Sequence, residues 1–251
     1  MSGSAAEQFD RVAQAYATSA VHAKGPDLAW LLEALQPEPA WRALDLGTGA
    51  GHAAMAVAPY VDELYAVDVS ARMLTTAADL AGQRNLTNTR FAEASVSALP
   101  WPNGYFDAAF SRYSAHHWSS LAPALREAAR LTRPGAPLII IDTISPEEPA
   151  LDTFVNTLEL LRDPSHGRNA SAQEWTRQLQ QAGFAVQAIR TWQLELVTAE
   201  WLERARTEVW RAVACYQLLR EAPDAARAAF AIAGDGSRFS LHCALFTARH
   251  C

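Results

Sequence analysis

Leu44-Asp45-Leu46-Gly47-Thr48-Gly49-Ala50-Gly51-His52 decides the fold. A short apolar run over 42–46 passes directly into three alternating glycines, and helix-forming sequence over 53–58 follows. Glycine tolerates positive φ and lets a ligand approach the backbone. A strand, a glycine turn and a helix together make a slot with backbone walls.

Outward from that turn, strand and helix patterns alternate. Strands are expected over 64–67, 89–92, 106–111 and 137–142. Ser70 caps a helix over 71–82. A further helix over 121–131 stops at Arg133-Pro134-Gly135. The unbroken apolar run Leu138-Ile139-Ile140-Ile141 reads as a buried parallel strand. Five such alternations predict an α/β, Rossmann-like doubly wound sheet. Before the turn, residues 5–17 read as a helix with Phe9, Val12, Ala13 and Tyr16 on one stripe. Pro26 opens a second helix through 35. After the core, helices are expected over 147–161 and 171–182. A long strand covers 184–197, one long amphipathic helix 201–219, and a closing strand 239–248. The chain reads as a single domain over 1–251. Residues 1–40 form an N-terminal helical lid, 41–145 the cofactor-binding core, and 146–251 the substrate-side helices and final strands.

Composition narrows the classes. The chain has 251 residues, half of them hydrophobic, and a formal net charge of −6. That is globular composition with enough apolar material for a core. Lys24 is the only lysine and no basic run exists, which argues against nucleic-acid binding. Residues 1–10 lack the pattern of a signal peptide, and no apolar stretch is long enough to span a membrane. Cys215, Cys243 and Cys251 form no CxxC pair, so neither a disulfide framework nor a zinc site is expected. A cytoplasmic setting fits this.

Two ligand classes compete for the glycine slot. A dinucleotide fingerprint is GxGxxG, whereas here the spacing is GxGxG and His52 stands where the third glycine would be. The strand also delivers Asp45 into the turn. A carboxylate repels a pyrophosphate and suits a cation. S-adenosylmethionine (SAM) carries an ammonium and a sulfonium, so Asp45 favours it. Asp68 ends the second strand about 20 residues past the first glycine, the spacing of a ribose-binding acid. Both NAD and SAM carry a ribose, so Asp68 does not separate them. The plain alternative is a tight turn with Asp68 capping the next helix.

The stretch Asp45–Gly51 resembles motif I of the class I SAM-dependent methyltransferases. Other segments are similar to the small-molecule branch related to quinone-biosynthesis enzymes, the methyltransferase type 11 domain. They are Phe9-Asp10-Arg11 with Ala15-Tyr16, Leu99-Pro100-Trp101-Pro102 with Phe106-Asp107, Ala115-His116-His117-Trp118, and Leu131-Thr132-Arg133-Pro134-Gly135. The resemblance implies a seven-stranded sheet whose last strand is antiparallel, and a reaction yielding S-adenosylhomocysteine. It implies that Gly47, Thr48 and Gly49 wall the methionine half of SAM, with Asp45 and Gly51 in the same turn. Asp68 would hold the ribose, and Val69 and Met73 would flank the adenine. Ser95 stands where the branch commonly has an aspartate that contacts the adenine amino group. Val96, Ser111 and Tyr16 complete the expected cofactor set. The family's PGG turn is Pro134-Gly135-Ala136 here.

Methyl transfer is an in-line displacement, and alignment alone can supply about 7–11 kcal/mol. A base is needed only where the acceptor must lose a proton. His116 and His117 follow the fourth strand's carboxyl end and are the catalytic candidates, with Arg112 and Tyr16 beside them. The alternative is a structural histidine pair. If extended, the two rings point apart. Asp142 either caps or lines the slot. Residues 162–166 read as a surface turn, with a pocket element as the alternative. Trp118, Trp192, Trp201 and Trp210 are candidates to line an apolar pocket. No metal cluster is indicated. The expected partner is a small-molecule acceptor, and a homodimer is left open. Three rival readings remain at this point. One is a SAM-binding protein that does not methylate, pericyclase-like or regulatory. The others are a nicotinamide-dependent oxidoreductase and an interaction module.

Overall fold

The computed structural model describes residues 25–251. The expected helix over 5–17, the 1–24 part of the lid, and Tyr16 lie outside the described residues. The chain then runs α1 (Asp27–Leu35), β1 (Arg42–Leu46), α2 (His52–Val57), β2 (Glu63–Asp68), α3 (Ala71–Gln83), β3 (Thr89–Glu93) and β4 (Ala108–Arg112). A 3₁₀ turn at Ala115–His117 precedes α4 (Leu121–Leu131) and β5 (Pro137–Thr143). The last third holds α5 (Pro149–Arg162), α6 (Ala172–Gln181), β6 (Phe184–Val197), α7 (Thr198–Arg204), α8 (Val209–Arg220), α9 (Asp224–Ala229) and β7 (Arg238–His250).

The seven strands form one sheet in the order β3-β2-β1-β4-β5-β7-β6. β1 to β5 pair in parallel, and β7 runs antiparallel to both β5 and β6. The doubly wound sheet with its last strand antiparallel is therefore as expected. β1 lies between β2 and β4, so the winding reverses there. In open α/β sheets the crevice at that reversal, beyond the strands' carboxyl ends, takes the ligand.

Local chemistry explains the elements. All seven residues of β5 are buried, as a central strand covered on both faces requires. The α4 helix buries Ala124, Leu125, Ala128 and Leu131, one stripe at helical spacing. The Ser70 hydroxyl accepts from the Met73 amide at 3.0 Å and caps α3. Ser171 and Glu174 form a reciprocal capping box at the start of α6. One apolar cluster covers each face of the sheet. A third, around Phe154, Leu158, Trp201, Leu219 and Phe239, joins α5 to the helices between β6 and β7.

The single helix expected over 201–219 is two helices. Arg206 takes a left-handed conformation, φ 50°. The Thr207 amide donates to the Leu202 carbonyl and the Arg206 amide to the Glu203 carbonyl, which closes α7. An arginine stands where such a stop usually has glycine, so no residue type marks the break. Among the described residues no helix is long and apolar enough to cross a membrane.

Candidate active site

The glycine turn after β1 forms the floor of a cavity that opens to solvent. Gly47, Gly49 and Gly51 all have positive φ, at 71°, 53° and 87°. Gly49 faces the open space: a methyl group built on it would meet no atom within 4 Å. On Gly47 it would lie 1.9 Å from the Ser114 hydroxyl. Glycine at both positions keeps the floor low. Gly51 differs. A methyl there would lie 2.8 Å from the Ala77 Cβ, so this glycine serves the packing of α2 on α3. Gly51 is not among the residues that line the cavity.

Two acids meet the cavity. Asp45 is buried at the end of β1 and accepts from the Thr48 hydroxyl at 2.7 Å. Burial pushes its carboxyl up to about 7, against the pull of that hydrogen bond, and the nearby Asp68 charge adds to the rise. A site that raises a carboxylate in this way is suited to a cation. Asp68 ends β2. Its Oδ2 accepts from the Gly49 amide at 2.8 Å and its Oδ1 from the Ser70 amide at 2.9 Å. These bonds fix the direction of the carboxylate at the edge of the cavity.

Arg112 closes the same cavity from β4. Its guanidinium is ion-paired with buried Asp27 of α1 and lies over the Tyr113 ring. Tyr113 also lines the cavity, with φ 50°, a strained conformation for a bulky residue. Such strain persists where the surroundings enforce it, and here the Tyr113 amide is tied to the Ile141 carbonyl at 2.8 Å. Asp45, Asp68 and Arg112 thus line one space.

A second cavity adjoins the first and shares Gly47, Asp68 and Ser114 with it. It is lined further by Val69, Ser95, Val96, His117 and Trp118. Ser95 is exposed, and its hydroxyl accepts from the Ser97 amide at 3.3 Å. Of the expected cofactor set, the structure brings Asp45, Gly47, Thr48, Gly49, Asp68 and Met73 to the first space. It brings Val69, Ser95 and Val96 to the second. Ser111 lines neither space. It is buried and donates to the Leu46 carbonyl at 2.7 Å, so its proton holds β4 to the end of β1.

The two histidines do not point apart. The 3₁₀ turn brings their rings side by side, centroids 4.2 Å apart and planes tilted by 47°, because its tight winding replaces the extended backbone assumed from sequence. Asp142, at the end of β5, takes both the His116 amide at 3.1 Å and its Nδ1 at 2.5 Å. Burial alone would lower the His116 pKa. The charge and hydrogen bond of Asp142, with Glu159 beyond, outweigh it and raise the value. His117 goes the other way: burial and the neighbouring His116 push it down to about 3. It lines both the second cavity and a wider groove that runs to α6.

The segment 162–166 is more than a surface turn. Asp163 and His166 are buried, and the Ser165 carbonyl and hydroxyl both lie 3.2 Å from the His117 Nδ1. Tyr113 and Ser114 also line the first cavity; both fall in the stretch after the fourth strand's carboxyl end that was expected to face the slot, although neither was singled out there. Trp118 lines the second cavity. Trp201 is core, Trp210 is exposed on α8, and Trp192 packs on Trp30.

A family model described as a methyltransferase domain matches residues 44–140. The chain is 37% identical over 224 residues to the uncharacterized methyltransferase YcgJ of Bacillus subtilis strain 168, covering 89% of this chain and 88% of that one. The crystal structure of YcgJ superposes with a TM-score of 0.87, covering 89% of this chain and 97% of that one. A demethylmenaquinone methyltransferase of Beutenbergia cavernae is 30% identical over 145 residues, 56% of this chain and 58% of that one. The [4+2]-cyclase SpnF, at 21% identity and a TM-score of 0.65 over 89% of this chain and 80% of that one, shares the fold alone. The chain belongs to the SAM-dependent methyltransferases, and its cofactor is S-adenosylmethionine.

Proposed function

We propose that the protein moves a methyl group from SAM to a small-molecule acceptor by in-line displacement, acting mainly through positioning. The observation that carries this reading is the meeting of Asp45, Asp68 and Arg112 around one glycine-floored cavity. The residues fit the cofactor. Buried Asp45 is short of positive charge, Arg112 supplies a cation for a carboxylate, and Gly49 leaves open the space a side chain would fill. Asp45 and Arg112 would hold the amino-acid end, and Asp68 the ribose hydroxyls. Val69, Met73 and Val96 would enclose the adenine, with Ser95 beside its amino group. When bound, SAM supplies an activated methyl group on a sulfonium that leaves as a neutral thioether.

The remaining work is alignment and the exclusion of water, which need no conspicuous catalytic motif. His117 is the candidate for contact with the acceptor, because it lines the cavity and is neutral. His116 acts behind it, held by Asp142. Residues 146–251 of the same domain would supply the acceptor side. The test is calorimetry of SAM and S-adenosylhomocysteine, with NAD as control, followed by transfer of labelled methyl to candidate acceptors. Binding of both adenosyl compounds but not NAD, then label in a small product, is the expected result. Binding without transfer to any acceptor favours the non-methylating alternative, and no binding overturns the reading.

A further inference from the structure

His117, Trp118 and Ser119 line the second cavity and also the wider groove beside it. That groove runs from the start of α4 to the flank of α6, along residues 164–168 of the loop before α6. Ala115, Trp118, Leu121, Pro164 and Ala170 give it an apolar lining. Glu174, Arg177 and Gln178 line it from α6, at helical spacings of three and four that put them on one flank. Arg177 is exposed, and among the described residues nothing pairs with it. Glu174, one turn away, is already committed: its Oε2 takes Arg168 at 2.9 Å and the Ser171 amide at 2.9 Å. Burial keeps His117 and His166 neutral, the latter with its pKa pushed down to about 2. The charge left over in the groove is therefore the guanidinium of Arg177. Where the groove meets α4, that helix starts at Ser120 with no side-chain cap and no acid in its first turn, so its positive end is open as well. His166 adds an unmet group. Asn156 turns its Nδ2 to the carbonyls of Asp152 and Asn169, so its Oδ1 faces the His166 Nε2 at 3.1 Å. Nε2 therefore donates, and the bare Nδ1 of this groove residue is buried without a partner.

We infer that this groove binds the far end of the methyl acceptor, and that the acceptor is an amphipathic anion: an apolar or aromatic body against Trp118 and Leu121, ending in a carboxylate, phosphate or sulfonate that pairs with Arg177. This rests on the methyl-transfer reading. His117 belongs to both spaces, so an acceptor lying in the groove has its other end at the cofactor. The apolar lining supplies affinity without direction. Arg177 supplies the selection: its fork of donors matches a two-oxygen anion, and an uncharged body of the same shape leaves it unpaired.

The test is a fluorescence titration of the full chain with two probes, in excess S-adenosylhomocysteine so that the cofactor space is filled. Anilinonaphthalenesulfonate carries the anion, and phenylnaphthylamine has the same rings without it. At low salt the sulfonate is expected to bind Arg177→Gln about fivefold more weakly than the wild type, the scale of one partly exposed ion pair, and Arg177→Glu more weakly still. Added salt erases the difference. The neutral probe binds all three proteins alike, and Leu121→Glu weakens both probes. Trp210→Ser, on the exposed apolar turn of α8, changes neither. Equal sulfonate affinity across the Arg177 series, a neutral probe lost in step with it, or a signal abolished by Trp210→Ser overturns the inference. Should Leu121→Glu fail to fold, the Arg177 series decides it, because that side chain is exposed. Calorimetry of S-adenosylhomocysteine on the same samples separates the two readings. Normal binding with a sulfonate indifferent to Arg177 removes this inference alone, whereas absent binding with a sulfonate that depends on Arg177 removes the methyltransferase reading.

Discussion

The Gly49 amide and the Asp68 carboxylate are joined by a 2.8 Å hydrogen bond that ties the turn after β1 to the end of β2. One residue supplies the low floor of the cavity and the other its acid, so each holds the other in place. Asp68→Ala removes this tie as well as the expected acceptor for the ribose. Hydrogen bonds to charged groups contribute about 1.5–3 kcal/mol each. Calorimetry is expected to show SAM affinity reduced at least tenfold, with a smaller loss in Asp68→Asn. Equal affinity in all three proteins would exclude Asp68 from the cofactor site.

The two glycines at 47 and 51 predict different defects. Gly51→Ala drives a methyl against Ala77, so Ala77→Gly should restore much of the lost melting temperature. The restored double variant is expected to bind SAM normally, because position 51 packs helices. Gly47→Ala meets Ser114 and adopts a φ costly for alanine, about 1–3 kcal/mol. Thermal melting of the single and double variants, with calorimetry on the stable ones, checks both statements.

Asp45 predicts a pH effect on cofactor affinity. Its carboxyl titrates at about 7 through burial, above its ordinary 3.8. In the free protein the charged form is disfavoured, so Asp45 costs stability as pH rises from about 4 through 7. A cationic ligand prefers the ionised form. SAM affinity is therefore expected to weaken as pH falls below 7, by at most about tenfold per pH unit for one linked proton. Asp45→Asn should flatten that profile and raise the stability of the free protein at pH 8. A profile unchanged by the substitution would remove Asp45 from the linkage.

His116 and Asp142 predict the opposite dependence. The imidazole pKa is raised in the fold, so the pair's stabilisation is fully present below the unfolded histidine value, about 6.5. It is lost as pH rises through the folded value. Asp142→Asn is expected to lower stability by roughly 1–3 kcal/mol, more at pH 6 than at pH 8. Denaturant melts at the two pH values measure the difference. An equal loss at both would mean that His116 is not charged beside Asp142.

Local sequence determined most of the architecture. The alternating strand and helix patterns, the three glycines and the Ser70 cap are effects within a few residues, and they gave β1, α3 and the ligand slot. Asp45 and Asp68 were legible for the same reason: one lies next to the last residue of β1 and the other ends β2, strands whose direction fixes where their side chains go. The tertiary structure alone decided what lies beside the histidines. Asp142 is 26 residues from His116 and Ser165 is 48 from His117, and no local pattern encodes such pairings. It also decided that Gly51 packs against Ala77, that Ser111 spends its proton on β1, and that α7 stops at Arg206. Those outcomes depend on which surfaces meet once the sheet has closed, and periodicity along the chain carries no record of that.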